Sequence, residues 1–189
     1  GARVQAFDTR SVVAEQVQSL GGKFVEIDLG ETGQTKDGYA QELTPEQLEL
    51  QRLGMKDVIS ESDIVITTAQ LFGRPAPRIV TADMVAAMKK GGVIVDMAVE
   101  SGGNVEGSKP DETVEIDGVS IIGVSNLPSQ VSSDASQMYS SNLYNLVSEY
   151  WDEENKTFNL DLEDDILRGC VITHDGALVN EAIKNIRGS

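Results

Sequence analysis

The sequence predicts an α/β fold: a parallel sheet with helices on both faces. Two observations carry this reading. Short strands alternate with helical segments, and the strands, such as "DIVITTA" and "VIVDMAV", are apolar runs rather than polar–apolar alternations, the pattern of strands buried on both faces. Strands are expected near 3–8, 24–28, 64–68, 93–97 and 120–124.

The elements follow in order. "RVQAFD" reads as a buried strand that ends in an acid, Asp8. In "SVVAEQVQSLGG", Val13, Val17 and Leu20 share one helical face, and Gly21 and Gly22 stop the helix. "KFVEIDL" is the next strand. Residues 30–43 are polar and glycine-bearing around Tyr39, so they form a long loop, a place where function often sits. Thr44 caps and Pro45 opens the helix "TPEQLELQRLGMKDVISES". "TADMVAAMKKGG" is a shorter helix capped by Thr81, with lysines in its last turn. "TVEIDGVSIIGV" forms two strands around the turn Asp117-Gly118. From 133 to 151 a long helix carries Tyr139, Leu143, Leu146, Val147, Tyr150 and Trp151 on a wide apolar stripe. Residues 152–189 are acidic and end in a hairpin around Asp175-Gly176. Three parts follow: a sheet domain over 1–132, a connecting helix over 133–151, and a segment of a second domain over 152–189.

Composition removes several classes of function. The 189 residues carry a formal charge of -16, which repels nucleic-acid phosphates and anionic membranes, so no nucleic-acid partner is expected. No apolar run is long enough to span a bilayer, and the chain reads as soluble. With one cysteine, Cys170, and one histidine, His174, neither an internal disulfide nor a Cys/His zinc site is expected. Cys170 reads as a small core residue and His174 as a surface residue.

The chemistry-bearing candidates gather at strand ends. A carboxylate such as Asp8 there accepts the two hydroxyls of an adenosine ribose and repels a 2′-phosphate, although Asp8, Thr9 or Ser11 could equally serve as a helix cap. Tyr39 beside Gly38 suits a residue that folds over a bound ring, or one that rests on the surface. "TTAQLFGRPAPR", "DMAVESGGN" and "VSNLPSQ" each follow a strand, where open parallel sheets bind ligands. Glu100 has the chemistry of a general base or of a solvated surface acid. In a dinucleotide-binding unit, a glycine-rich turn lies about 20 residues before the ribose-binding acid. Only seven residues precede Asp8.

The ordered set "AFDTR", "DGYA", "TTA", "GRPAPR", "VIVDMAVESGGN" and "SNLP" resembles the NAD(H)-binding component, the alpha subunit, of the proton-translocating NAD(P) transhydrogenases. Alanine dehydrogenases resemble it more loosely. The resemblance implies a Rossmann-like sheet cut at its second strand, without its first strand and glycine-rich turn. It implies that Asp8, Thr9 and Arg10 lie beside the adenosine ribose and that Gly38 and Tyr39 belong to a loop closing over the nucleotide. Gln70, Leu71, Ala98, Val99, Glu100, Ser125, Asn126 and Leu127 match the walls of the nucleotide and nicotinamide cleft. The Glu100 position resembles a catalytic aspartate of alanine dehydrogenases, and glutamate favours the transhydrogenase reading. Gln70, Phe72 and Gly73 depart from the family pattern in that wall.

The implied activity is hydride transfer between NAD(H) here and NADP(H) on a partner domain, coupled to proton translocation by a membrane domain. No nucleophile or metal is required of the protein. The implied partners are those NADP(H)-binding and membrane domains, the N-terminal half of the same component, and a second copy in a homodimer. The implied place is the cytoplasmic or mitochondrial matrix face of a membrane complex, with this chain inactive by itself. An alanine dehydrogenase-like amino-acid oxidoreductase and a non-catalytic NAD-binding module remain as alternatives.

Overall fold

In the computed structural model, residues 1–10, 12–30, 43–71 and 73–188 are described. The first part contains β1 (Gln5–Ala6), α1 (Val13–Ser19), β2 (Lys23–Phe24), α2 (Pro45–Glu61), β3 (Ile64–Thr67), α3 (Ala82–Ala87), β4 (Val93–Asp96), β5 (Glu112–Ile116) and β6 (Val119–Gly123). Then come α4 (Leu127–Gln130), α5 (Ser132–Glu149), β7 (Trp151–Asp152), β8 (Thr157–Phe158), α6 (Asp165–Cys170), β9 (Thr173–His174), β10 (Ala177–Leu178) and α7 (Glu181–Arg187).

The main sheet has the order β3-β4-β6-β5. β3, β4 and β6 run parallel, with Ile64 opposite Val93, Thr67 opposite Asp96 and Ile94 opposite Ile121. β5 returns antiparallel through Asp117 and Gly118, both at positive φ (52° and 81°), the backbone that a two-residue hairpin requires. One face of this sheet carries the core. Ile94, Val119 and Ile121 pack there with Ile59 of α2, Met84 and Val85 of α3, and Val80, Met88 and Val105. On the other face Ile64 and Ile66 are 66% and 62% exposed, while Val93, Val95 and Ile122 are half-buried. Helices on both faces were expected; α2 and α3 cover one, and burial therefore alternates along each strand as in a sheet packed from a single side.

The single parallel sheet expected from the sequence is also divided. β1 and β2 pair parallel in a sheet of their own, Gln5 opposite Lys23 and Ala6 opposite Phe24, and no described strand bridges β1 to β3. Regular pairing ends at Phe24, although the Val25 amide still donates to the Ala6 carbonyl at 2.8 Å. This small unit docks on α2 through the loop after β2. Ile27 fills the space over Gly54, where an added Cβ would lie 2.9 Å from its Cδ1, and the Gln47 side-chain amide donates to the Leu29 carbonyl at 2.9 Å.

Local chemistry explains some helix ends and distant residues others. Thr44 and Gln47 form a reciprocal capping box at α2, with bonds of 3.3 and 3.0 Å and Pro45 in the first turn. Thr81 does not cap α3: its hydroxyl donates to Asp83, and Glu106 accepts the Ala82 amide at 2.7 Å instead. That helix ends at Ala87, so Lys89 and Lys90 lie beyond its last turn. Leu20, read as part of the apolar face of α1, sits at the helix C-cap and is 90% exposed.

α5 has no buried residue; Met138, Tyr139, Leu143, Tyr144 and Val147 are all exposed. The acidic tail is held by specific bonds. The Tyr150 hydroxyl donates to Asp164 at 2.7 Å, Asp164 caps α6, and Asn180 caps α7 while donating to the Arg168 and Gly169 carbonyls. Leu167 is the buried apolar anchor of this region. Cys170, expected in the core, is exposed at the end of α6, because that six-residue helix turns Leu167 inward.

Candidate functional site

The parallel strands β3, β4 and β6 end at Thr67, Asp96 and Gly123, and the segments that follow them carry most of the sequence-predicted site. Gln70 follows β3, exposed, with its side-chain amide donating to the Met97 carbonyl after β4 at 3.3 Å. Leu71 is exposed and bridges to Arg74. After β4, Ala98 and Val99 are buried, so they offer a ligand backbone rather than side chain, whereas Glu100 is exposed in a short 3-10 turn over Val99–Ser101. After β6, the Ser125 amide donates to Asp111 at 3.0 Å. Asn126 holds a left-handed backbone with φ 49°, and Leu127 opens α4. The adjacency of these strands and the Gln70–Met97 bond bring the β3 and β4 ends together.

Asp8 lies just past β1 and is half-buried. Its carboxylate accepts three bonds from Arg10: from the backbone amide at 2.8 Å and Nε at 3.0 Å on Oδ1, and from Nη2 at 2.9 Å on Oδ2. Burial alone would raise its pKa, but the hydrogen bonds and charge of Arg10 outweigh that and hold it below the usual carboxylate value. Asp8 is therefore an ionised acceptor at physiological pH. The alternative role as helix cap is not taken: the N-cap of α1 is Val12, with no side-chain cap bond. Thr9 is half-buried beside it. Gly38 and Tyr39 lie outside the described residues.

Sequence reasoning missed two residues of this region. Asp96, the last residue of β4, and Asn104 are both completely buried and tie the segments after β3 and β4 together. A strand-end acid followed eight residues later by asparagine in "GGN" was the available signal, but a single sequence does not distinguish this pair from ordinary turn residues.

A hollow of about 640 Å³ lies at β2 beside Gln5, Lys23, Val25 and Val58 and includes none of the predicted site residues. Among the described residues no group of three His, Cys, Asp or Glu side chains is arranged to hold a metal ion, and no helix is long and apolar enough to cross a membrane. The strand-end groups thus offer acceptors, donors and backbone for positioning a ligand.

Residues 1–181 match the family described as "Alanine dehydrogenase/PNT, C-terminal domain". Subunit alpha (its first part) of the NAD(P) transhydrogenase of Rhodospirillum rubrum is 43% identical over 185 residues, 97% of this chain and 48% of that protein. An alanine dehydrogenase from Halomonas elongata is 31% identical over 138 residues, covering 71% of this chain and 37% of its own length. Among solved structures, the transhydrogenase of Sinorhizobium meliloti superposes with a TM-score of 0.67 at 39% identity, covering 95% of this chain and 46% of that one. The chain spans about half the length of the first of these relatives.

Proposed function

Because the chain belongs to the alanine dehydrogenase/PNT C-terminal domain family, we propose that it forms part of the NAD(H)-binding unit of a proton-translocating NAD(P) transhydrogenase. The observation that carries the reading is Asp8, an ionised carboxylate just past the end of a parallel strand. Such a group accepts ribose hydroxyls and disfavours a 2′-phosphate. The Arg10 clasp means that a ribose either shares the carboxylate with the guanidinium or displaces it. Higher identity to a transhydrogenase than to an alanine dehydrogenase supports the same choice.

The two parallel groups, β2-β1 and β3-β4-β6, correspond to the outer strands of a doubly wound sheet, with the position between β1 and β3 taken by a further strand of the complete unit. That strand's turn would supply the pyrophosphate contacts, for which the described residues provide no glycine-rich turn leading into a helix. Residues 1–132 then form the cofactor domain, 133–151 the connection, and 152–189 a segment of a second domain.

The residues present fit NAD(H) in part. Asp8, Thr9 and Arg10 would hold the adenosine ribose, and Gly38 and Tyr39 would close over the nucleotide. Gln70, Leu71, the backbone of Ala98 and Val99, Glu100 and Ser125 to Leu127 would wall the nicotinamide side. Bound NAD(H) supplies the hydride chemistry, exchanged with NADP(H) on a partner domain. The task of this chain is to orient the ring and exclude water. Its partners would be NADP(H)-binding and membrane domains, with a second copy in a homodimer, on the cytoplasmic or matrix face of a membrane.

The test is the complete gene product, assayed for NADH-dependent reduction of an NADP analogue beside alanine-dependent reduction of NAD. Activity in the first assay is expected; activity in the second alone would overturn the reading in favour of an amino-acid oxidoreductase. NADH binding without either activity would indicate a non-catalytic module. The 189-residue chain alone should bind NADH at about millimolar affinity or weaker, because its described residues provide no glycine-rich turn leading into a helix for charge-assisted bonds to phosphate. Isothermal titration at matched salt checks this, and micromolar binding would contradict it.

A further inference from the structure

We propose that Asp96 and Asn104 are positioning residues that lock the segments after β3 and β4 into one relative geometry and thereby set affinity for the nicotinamide half of NAD(H). The inference rests on the nucleotide reading above and goes beyond it. Asp96 and Asn104 are each 0% exposed, and among the described residues the Asp96 carboxylate is held by backbone amides rather than by an ion pair. The Asp96 carboxylate accepts three backbone amides of the segment after β4: Ala98 at 3.0 Å and Asn104 at 3.1 Å on Oδ1, and Val105 at 3.1 Å on Oδ2. This folds residues 97–105 back over the end of their own strand.

Asn104 then fastens that loop to the one after β3. Its Oδ1 accepts the Ala69 amide at 3.0 Å, and its Nδ2 donates to the Ala69 and Pro77 carbonyls at 2.9 and 2.8 Å. Its own carbonyl accepts the amides of Ile79 and Val80 at 2.8 and 3.0 Å. Arg78 closes the far side by donating to the Val105 and Gly102 carbonyls. The approach is close enough to require glycine at 103, where φ is 79° and an added Cβ would lie 2.7 Å from Asp96 Oδ2. One asparagine side chain therefore satisfies groups on both sides of the segment that carries Gln70 and Leu71. The same loop pair presents Glu100. If the ribose sits at Asp8, a dinucleotide runs across the strand ends toward β3, β4 and β6, so this pair shapes the nicotinamide side and leaves the adenosine side untouched.

The complete gene product is titrated with NADH and with ADP-ribose, which lacks the nicotinamide. Asn104→Asp keeps size and shape but turns an oxygen toward the Ala69 and Pro77 carbonyls; Asn104→Ala removes the fastening. Both should raise the NADH dissociation constant by about tenfold and leave that for ADP-ribose within about twofold. Val119→Ala, a core truncation at the opposite end of β6, lowers the melting temperature but leaves both constants unchanged. An unchanged NADH constant in the Asn104 variants, or equal losses for both ligands, would overturn the positioning role. In the unsubstituted protein, amides of 69–80 and 98–105 should exchange with one common opening rate, a readout that survives if a variant fails to fold, and independent rates would also overturn it. If the unsubstituted protein binds neither ligand, the nucleotide reading itself fails, which is a separate result.

Discussion

Residues 59–121 and residues 4–25 carry the same kind of sequence pattern, yet they are packed very differently. The first region holds every member of the main core cluster, from Ile59 to Ile121. In the second, β1 and β2 pair over two residues each, α1 buries nothing, and Val4, Val12 and Leu20 are exposed. An apolar run states which surface needs cover and is silent about what covers it. Where α2 and α3 pack on β4 and β6, the cover is internal. Where no described strand stands between β1 and β3, the same apolar content stays near solvent.

The contrast can be broken most sharply by truncation. Ile94→Ala should cost about 2–5 kcal/mol in urea unfolding, since it empties a site with no exposure. Leu20→Ala should change stability by no more than about 0.5 kcal/mol. Comparable losses would mean that the two regions share one core. A smaller effect addresses function in the poorly covered region. In the complete gene product, Asp8→Asn should raise the NADH dissociation constant by about tenfold and affect NADPH less, because the amide is a weaker acceptor and no longer repels phosphate. A preference for NADH that survives would remove Asp8 from the site.

The tail should respond by a comparable amount. Asn180→Ala removes the α7 cap and two bonds to α6, an expected loss of about 1–2 kcal/mol. Amide exchange should show it confined to residues 165–187. The smallest effect is acid dependence at the α2–α3 contact. Hydrogen bonds from Lys56 and Thr81, with the nearby Arg52 and Lys56 charges, hold the Asp83 pKa at about 2, below its unfolded value. Its contribution is full above the unfolded pKa and disappears as pH falls toward about 2. Asp83→Asn should therefore flatten the acid limb of a melting-temperature profile slightly; an unaltered limb would assign that limb to other carboxylates.

Wherever a residue's neighbours in sequence decide its structure, the sequence was readable. Thr44, Pro45 and Gln47 announce the start of α2, and Asp117-Gly118 and Asp175-Gly176 announce hairpins, because caps and tight turns are settled within a few residues. Thr81 misled because Glu106, distant in sequence, satisfies the helix end instead. Cys170 misled because small apolar size says nothing about which side of a short helix meets the core. At the candidate site, Asp8 and the exposed strand-end residues were visible as types in places. The Asp96–Asn104 fastening was not, since its bonds join segments that lie 27 and 35 residues apart.

The antiparallel β5 gives the main sheet two unlike rims. On one, Glu112 and Glu115 stand exposed along the outermost strand; on the other, β3 offers Ile64 and Ile66 without a charge between them. Strand addition is thus discouraged at the acidic rim, while the apolar one is the position that the further strand of the complete unit would take. A particle with a single adhesive rim consumes it in the first encounter. Once that strand is in place no adhesive rim is left, whereas a sheet with two such rims could lengthen without limit. Reversing one outer strand therefore does more than finish a hairpin: it keeps edge-to-edge growth of this sheet from continuing at its far rim.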